Sequence, residues 1–180
     1  LFRSRSKLFD APSDKPALAE DAALIARDYG WRRFEGFDAL TLIEHAEHPA
    51  RAVGSLYTLK WALKDPISTA ELPTSVTIMI ASENRAVVRY IAQRDPITVN
   101  VRPDVTADDA RTKARVMLGP TSTWSDATLL STRLQVIYDD VNQQRLAWAF
   151  LFSPRASAST RERLAVYIDA HTGETIETHG

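Results

Sequence analysis

Glu44, His45, Glu47 and His48 form the densest group of ionisable and metal-ligating side chains in the sequence. On a helix over 37–48, residues 44 and 48 lie four apart and 45 and 48 three apart. One helix face would then offer three ligands. The spacing is neither His-Glu-x-x-His nor His-x-x-Glu-His, and no distant further ligand stands out. The cluster therefore predicts a solvated face near a helix end, with no metal bound. Asp169 with His171, and Asp139 with Asp140, are the groups whose types suit general acid–base work. That chemistry needs convergence in a pocket, and both sets fall at predicted turns, which are ordinarily exposed. Ser4-Arg5-Ser6-Lys7 fits Ser-x-x-Lys but has no partner motifs. The six glycines are scattered singly, so no loop is built to cradle phosphate. Strand phase places Trp61 and Trp148 in the core. Trp124, in the polar stretch 121–128, is the best candidate for an exposed binding aromatic, with a docked loop anchor as the plainer alternative. No catalytic, cofactor-binding or metal residue is assigned.

Composition narrows the classes. The chain has 180 residues, 44% hydrophobic and 25% charged, with a net charge of −1. That balance argues against a general nucleic-acid or membrane-surface binder. It has no cysteine, so it can hold no disulfide, thiolate nucleophile or Cys-based zinc site. No apolar run approaches the roughly 18 residues of a spanning helix. The start at Leu1 reads as a fragment or processed product.

The elements that must position these side chains follow from periodicity. Residues 1–16 carry Arg3, Arg5 and Lys7 and read as a solvated lead-in, with a juxtamembrane segment as the alternative. Ala17–Tyr29 is predicted helical, with Leu18, Ala22, Ile25 and Tyr29 on one face and Gly30 as its stop; Trp31 and Phe34 then lie in a connection. Phe37–His48 predicts a second, shorter helix ended by Pro49. Leu56–Leu63 alternates as a strand whose core face is Tyr57, Leu59, Trp61 and Leu63. Val76–Ile80 and Ala86–Ile91 predict a hairpin around 82–85, with Asn84 tolerant of the left-handed region. Ile97–Val101 is a linker or a further strand. Thr106–Leu118 is a helix with Thr106 and Asp109 in capping-box positions and Gly119-Pro120 as its stop. Leu129–Tyr138 and Gln144–Phe152 are strands joined by a turn at 139–143. Arg163–His179 closes the chain as a hairpin around Ala170-His171-Thr172-Gly173.

The halves repeat. Ala22 and Ala110, Ala26 and Ala114, Arg27 and Arg115, Ile80 and Ile168, and Val88 and Ile176 are each offset by 88; Trp61 and Trp148 are offset by 87. An Ala-rich helix, a Trp strand and an alternating hairpin recur in that order, which reads as duplication. The combination Leu146-Ala147-Trp148-Ala149-Phe150 with Val166-Tyr167-Ile168-Asp169-Ala170-His171-Thr172-Gly173 resembles the end of a PepSY-type domain. That module occurs in propeptides of thermolysin-like metalloproteases and in bacterial secreted or membrane proteins. The resemblance covers 106–180 well and 17–93 weakly, since the first copy has Ala81-Ser82-Glu83-Asn84-Arg85 where the second has Asp169–Gly173. It implies an α+β fold of two tandem cystatin-like, PepSY-like units, each a helix packed on an antiparallel sheet. The expected boundaries are a lead-in at 1–16, a divergent unit at 17–95, a linker or extra strand at 96–105, and a unit at 106–180.

The resemblance also implies a role. The expectation is a non-catalytic, extracytoplasmic, membrane-tethered regulatory domain of a larger bacterial protein, binding a protein or peptide partner such as a protease, with no cofactor and no nucleic acid. The basic lead-in opposes this placement, because positive charge favours the cytoplasmic side. The alternatives are an inhibitory or chaperoning propeptide of a secreted metalloprotease, and a small enzyme of cystatin-like architecture. A protease domain directly after Gly180 would select the propeptide. Convergent acid and base groups in a pocket would select the enzyme.

Overall fold

A computed structural model describes residues 17–50, 54–119, 124, 126–154 and 163–176. The elements are α1 (Ala19–Arg33), a 3-10 turn (Phe37–Ala39), β1 (Thr41–Ala50), β2 (Gly54–Lys64), β3 (Glu71–Ala81), β4 (Val87–Arg94), α2 (Ala107–Leu118), β5 (Thr128–Tyr138), β6 (Gln144–Ser153) and β7 (Leu164–Asp169). Strand hydrogen bonding runs β1-β2-β3-β5-β6-β7, with β4 also on β3. The fold is α+β. Two compact units divide it: 1–61 with 75–92, and 62–74 with 93–180.

In the first unit α1 presents Ala22, Ala26 and Gly30 as a buried stripe at i, i+4 and i+8. Small residues on that stripe pack with Phe34, Phe37, Tyr57, Leu59, Trp61, Val76, Ile78 and Ile80. Gly30 does not stop the helix as expected but lies within it. A Cβ there would overlap the Phe37 ring, so glycine is used here for close approach. Trp31 accordingly sits on α1, half-exposed, with the Arg27 guanidinium 5.8 Å above its ring.

The predicted helix over 37–48 is overturned. One 3-10 turn buries Phe37, and the chain then runs as β1 beside β2. The helix-like spacing of Phe37, Leu40 and Ile43 came from the turn and the first residues of the strand. Pairing with β2 outweighed the helix propensity of the Ala/Glu/His run.

In the second unit α2 buries Ala110, Ala114 and Leu118, again at i, i+4 and i+8. Its N-cap is Thr106, whose Oγ1 accepts the Asp109 N–H at 3.2 Å and donates to Asp109 Oδ2 at 2.7 Å. The stripe packs on Phe150, Phe152, Val166 and Ile168. Cross-strand pairs Trp148↔Ile168 and Phe150↔Val166 set that register. A further cluster joins Ala70, Leu134, Leu146 and Ala170, with Trp148 packed against it. Trp148 is half-buried rather than fully so, and its Nε1 donates to Val105 O at 2.8 Å. β3 meets β5 in parallel at Glu71↔Gln135.

Candidate functional site

The turn after β7 holds two of the polar groups that the sequence singled out, Asp169 and His171. Asp169 is buried, and its Oδ1 accepts the N–H groups of His171 at 2.8 Å and Thr172 at 3.0 Å. The Asp169 N–H donates to Glu174 O, and the Gly173 N–H to Asp169 O. Gly173 takes φ +73, the left-handed conformation that closes the turn. This is side-chain capping of a tight turn. From α2, Lys113 Nζ reaches Gly173 O at 3.0 Å.

His171 does not face Asp169 as a catalytic partner would. Its Nδ1 lies 2.9 Å from Asp104 Oδ2 and its Nε2 lies 2.9 Å from Asn100 O. Burial opposes the charged ring, yet the hydrogen bonds to Asp104 and Asn100, with the nearby carboxylates of Asp104 and Asp169, raise its pKa above the ordinary value of 6.5.

The segment held in this way is 95–105. It forms no strand, so the further strand expected as one alternative for Ile97–Val101 is not found, and the segment belongs to the second unit. Thr98 N–H and Oγ1 both donate to Gln144 Oε1, and Gln144 Nε2 donates to Pro96 O. At its far end the N–H groups of Asp104 and Val105 both donate to Ala170 O. Tyr138 Oη donates to Asp95 Oδ2 at 2.8 Å. Hydrogen bonds from Gln93 and then Tyr138 hold the Asp95 carboxyl below the usual range.

The other candidates are placed apart. Alternation along β1 puts Glu44 and His48 on one face and His45 and Glu47 on the other, so the helical premise for three convergent ligands is gone. Glu47 Oε1 accepts from Ser55 Oγ, and the His45 ring packs edge-on against Tyr57. Among the described residues no three His, Asp or Glu side chains are placed to hold a metal ion. Asp139 caps its own turn: Oδ1 accepts from Val141 and Gln143 N–H, and Oδ2 from Arg145 Nε. Those bonds, the Gln143 N–H foremost, hold its carboxyl below the usual range. Trp124 packs against the α2 core as a loop anchor. Ser4 and Lys7 lie outside the described residues.

Sequence reasoning missed Asn100, Asp104, Lys113 and Gln144. Each acts on a group far along the chain; Asn100 and Asp104 do so from a stretch without periodicity, Lys113 and Gln144 from α2 and the start of β6. The one local signal was polar residues immediately before the Thr106 cap.

No protein-family model matches the sequence, and no curated protein is similar to it. Among solved structures the chain is similar to the Bacillus megaterium YpeB C-terminal domain: 18% identity, TM-score 0.59, covering 94% of this chain and 70% of that one. This likeness supports a PepSY-like α+β fold. A lipoprotein candidate from Clostridium difficile 630 aligns at 10% identity over 94% of this chain and 95% of that one. Its TM-score of 0.33 is too low to carry an argument.

Proposed function

We propose that the chain is a non-catalytic, extracytoplasmic binding or regulatory domain, tethered to the cell envelope, whose partner is a protein or peptide of the protease-associated kind. We further infer that it is built from two divergent copies of one PepSY-like unit.

The duplication reading rests on hydrogen bonds as well as residues. Ala81 N–H donates to Ala86 O as Asp169 N–H donates to Glu174 O, and Ala17 N–H donates to Ser82 O as Val105 N–H donates to Ala170 O. Every atom in these pairs is offset by 88. Arg85 and Gly173, at the same offset, both have positive φ, +58 and +73. Helix, hairpin, third strand and return run in the same order in each half; β4 has as its counterpart the Ile168↔Thr175 bridge.

The observation that carries the non-catalytic reading is where the acid and base groups go. Asp169 is committed to two backbone N–H groups, Asp139 to two more, and both His171 ring nitrogens to structural acceptors. A free edge of an antiparallel sheet accepts an extended peptide through main-chain hydrogen bonds, which fits a partner of this class. The test is to incubate the purified chain with proteases encoded beside it and with peptide, ester and glycoside substrates. Saturable binding or inhibition without turnover is expected. Hydrolysis that disappears in Asp169→Asn or His171→Gln would replace this reading with an enzyme.

A further inference from the structure

The His171 contacts carry an inference that holds whatever partner the domain takes. Both ring nitrogens sit at 2.9 Å from groups that only accept, the Asp104 carboxylate and the Asn100 carbonyl. A neutral imidazole has one N–H. With it, one of the two contacts sets a ring lone pair against an oxygen lone pair; with the imidazolium, both contacts are hydrogen bonds. We propose that His171 is a proton-operated latch that fastens residues 99–103 to the 169–173 turn.

The surroundings favour the closed, charged form. Asp104 faces the ring from the clasped segment, and Asp169 adds a second carboxylate from its own hairpin. Of the cations around the turn, Lys113 of α2 donates to Gly173 O and Arg145 of β6 pairs with Asp139 while also lying in the field of Asp169; Arg102 lies in the field of Asp65. The remaining fastenings of the segment do not depend on the ring. Thr98 is held by Gln144, and Asp104 and Val105 by Ala170 O. Loss of the ring proton therefore frees only the stretch between them. The carboxylate keeps the remaining N–H, since it is the stronger acceptor, and Asn100 O is the partner released.

Because folding raises this pKa above its unfolded value, the latch contributes fully below about 6.5, the ordinary histidine value. Its contribution fades as pH rises through the folded value. The domain thus answers acidification by tightening this segment.

The test is an NMR titration of the whole chain from acid to mildly alkaline pH. It follows the His171 ring resonances and the exchange protection of the Arg102 amide, which donates to Asn100 Oδ1 at 3.1 Å. The expected result is a His171 midpoint above 6.5 and a loss of protection at Arg102 that tracks it, after correction for base-catalysed exchange. In His171→Gln that pH-dependent loss should vanish, and in Asp104→Asn the His171 midpoint should fall. A midpoint at or below 6.5 would overturn the latch, as would protection with the same pH dependence in His171→Gln. Should His171→Gln fail to fold, the Asp104→Asn titration decides by itself: an unchanged midpoint refutes the latch.

Discussion

The turns at 81–86 and 169–174 have the same backbone and different side-chain solutions. In each, a left-handed residue closes the loop and the preceding strand end donates to the residue after it. The later turn uses glycine at that point and an aspartate cap over two N–H groups. The earlier one places Arg85 in the left-handed region, stabilised by its ion pair with Asp21 at 2.6 Å, while Asn84 Oδ1 accepts the Ala86 N–H. The left-handed residue is Arg85 and not Asn84, as its tolerance for that region had predicted. Each turn also accepts a hydrogen bond from the segment leading into a helix, Ala17 N–H to Ser82 O and Val105 N–H to Ala170 O. Residue type then decides only how much strain the shared turn shape carries.

The comparison can be broken in four ways. Trp148→Ala should have the largest effect, about 3–5 kcal/mol by urea denaturation, because it removes a large packed aromatic and leaves Val105 O without its donor. An unmoved midpoint would show that the second core does not depend on this residue. Asp169→Ala should cost about 2–3 kcal/mol, since a buried charged acceptor of two N–H groups is removed. If the cost were negligible, the cap would not be what holds the second turn. Gly173→Ala should lose about 1–2 kcal/mol from the left-handed backbone, with Lys113 displaced as well. Arg85→Gly should change the unfolding free energy by urea denaturation least, within about 1 kcal/mol, as relief of strain is offset by loss of a partly exposed ion pair. If Arg85→Gly proved the more damaging of these last two, the ion pair and not the backbone would govern the first turn.

Much of this architecture was legible. Alternation located β2 and β5 to β7, and Thr106 with Asp109 marked the start of α2. The predicted inner face of α1, Leu18, Ala22, Ile25 and Tyr29, holds at Ala22 but not at Leu18, which is exposed; the close-packed stripe is the small-residue line Ala22, Ala26 and Gly30, repeated as Ala110 and Ala114 in α2. The errors share a cause. Gly30 has the local signature of a helix stop, and the Phe37 ring that explains it instead is a tertiary neighbour. Residues 37–48 carry a helical signature, whereas β1 owes its conformation to β2, which lies outside them. The candidate site was legible only as turn chemistry. Asp169 and Gly173 announce a hairpin, whereas the partners of His171 sit on a segment with no period of its own.

The parallel contact between Glu71 and Gln135 bears on how the chain assembles. Between those residues lie β4, the clasped segment and α2, so the pairing closes a long loop whose entropy must be lost before the contact is rewarded. Ala70, beside Glu71, belongs to the cluster with Leu134, Leu146 and Ala170. That cluster therefore needs residues from before β4 and from after β6. A nascent chain can zip its antiparallel hairpins early. It cannot complete this part of the core until the last strand has been synthesised, which makes the β3–β5 junction the natural late step in folding.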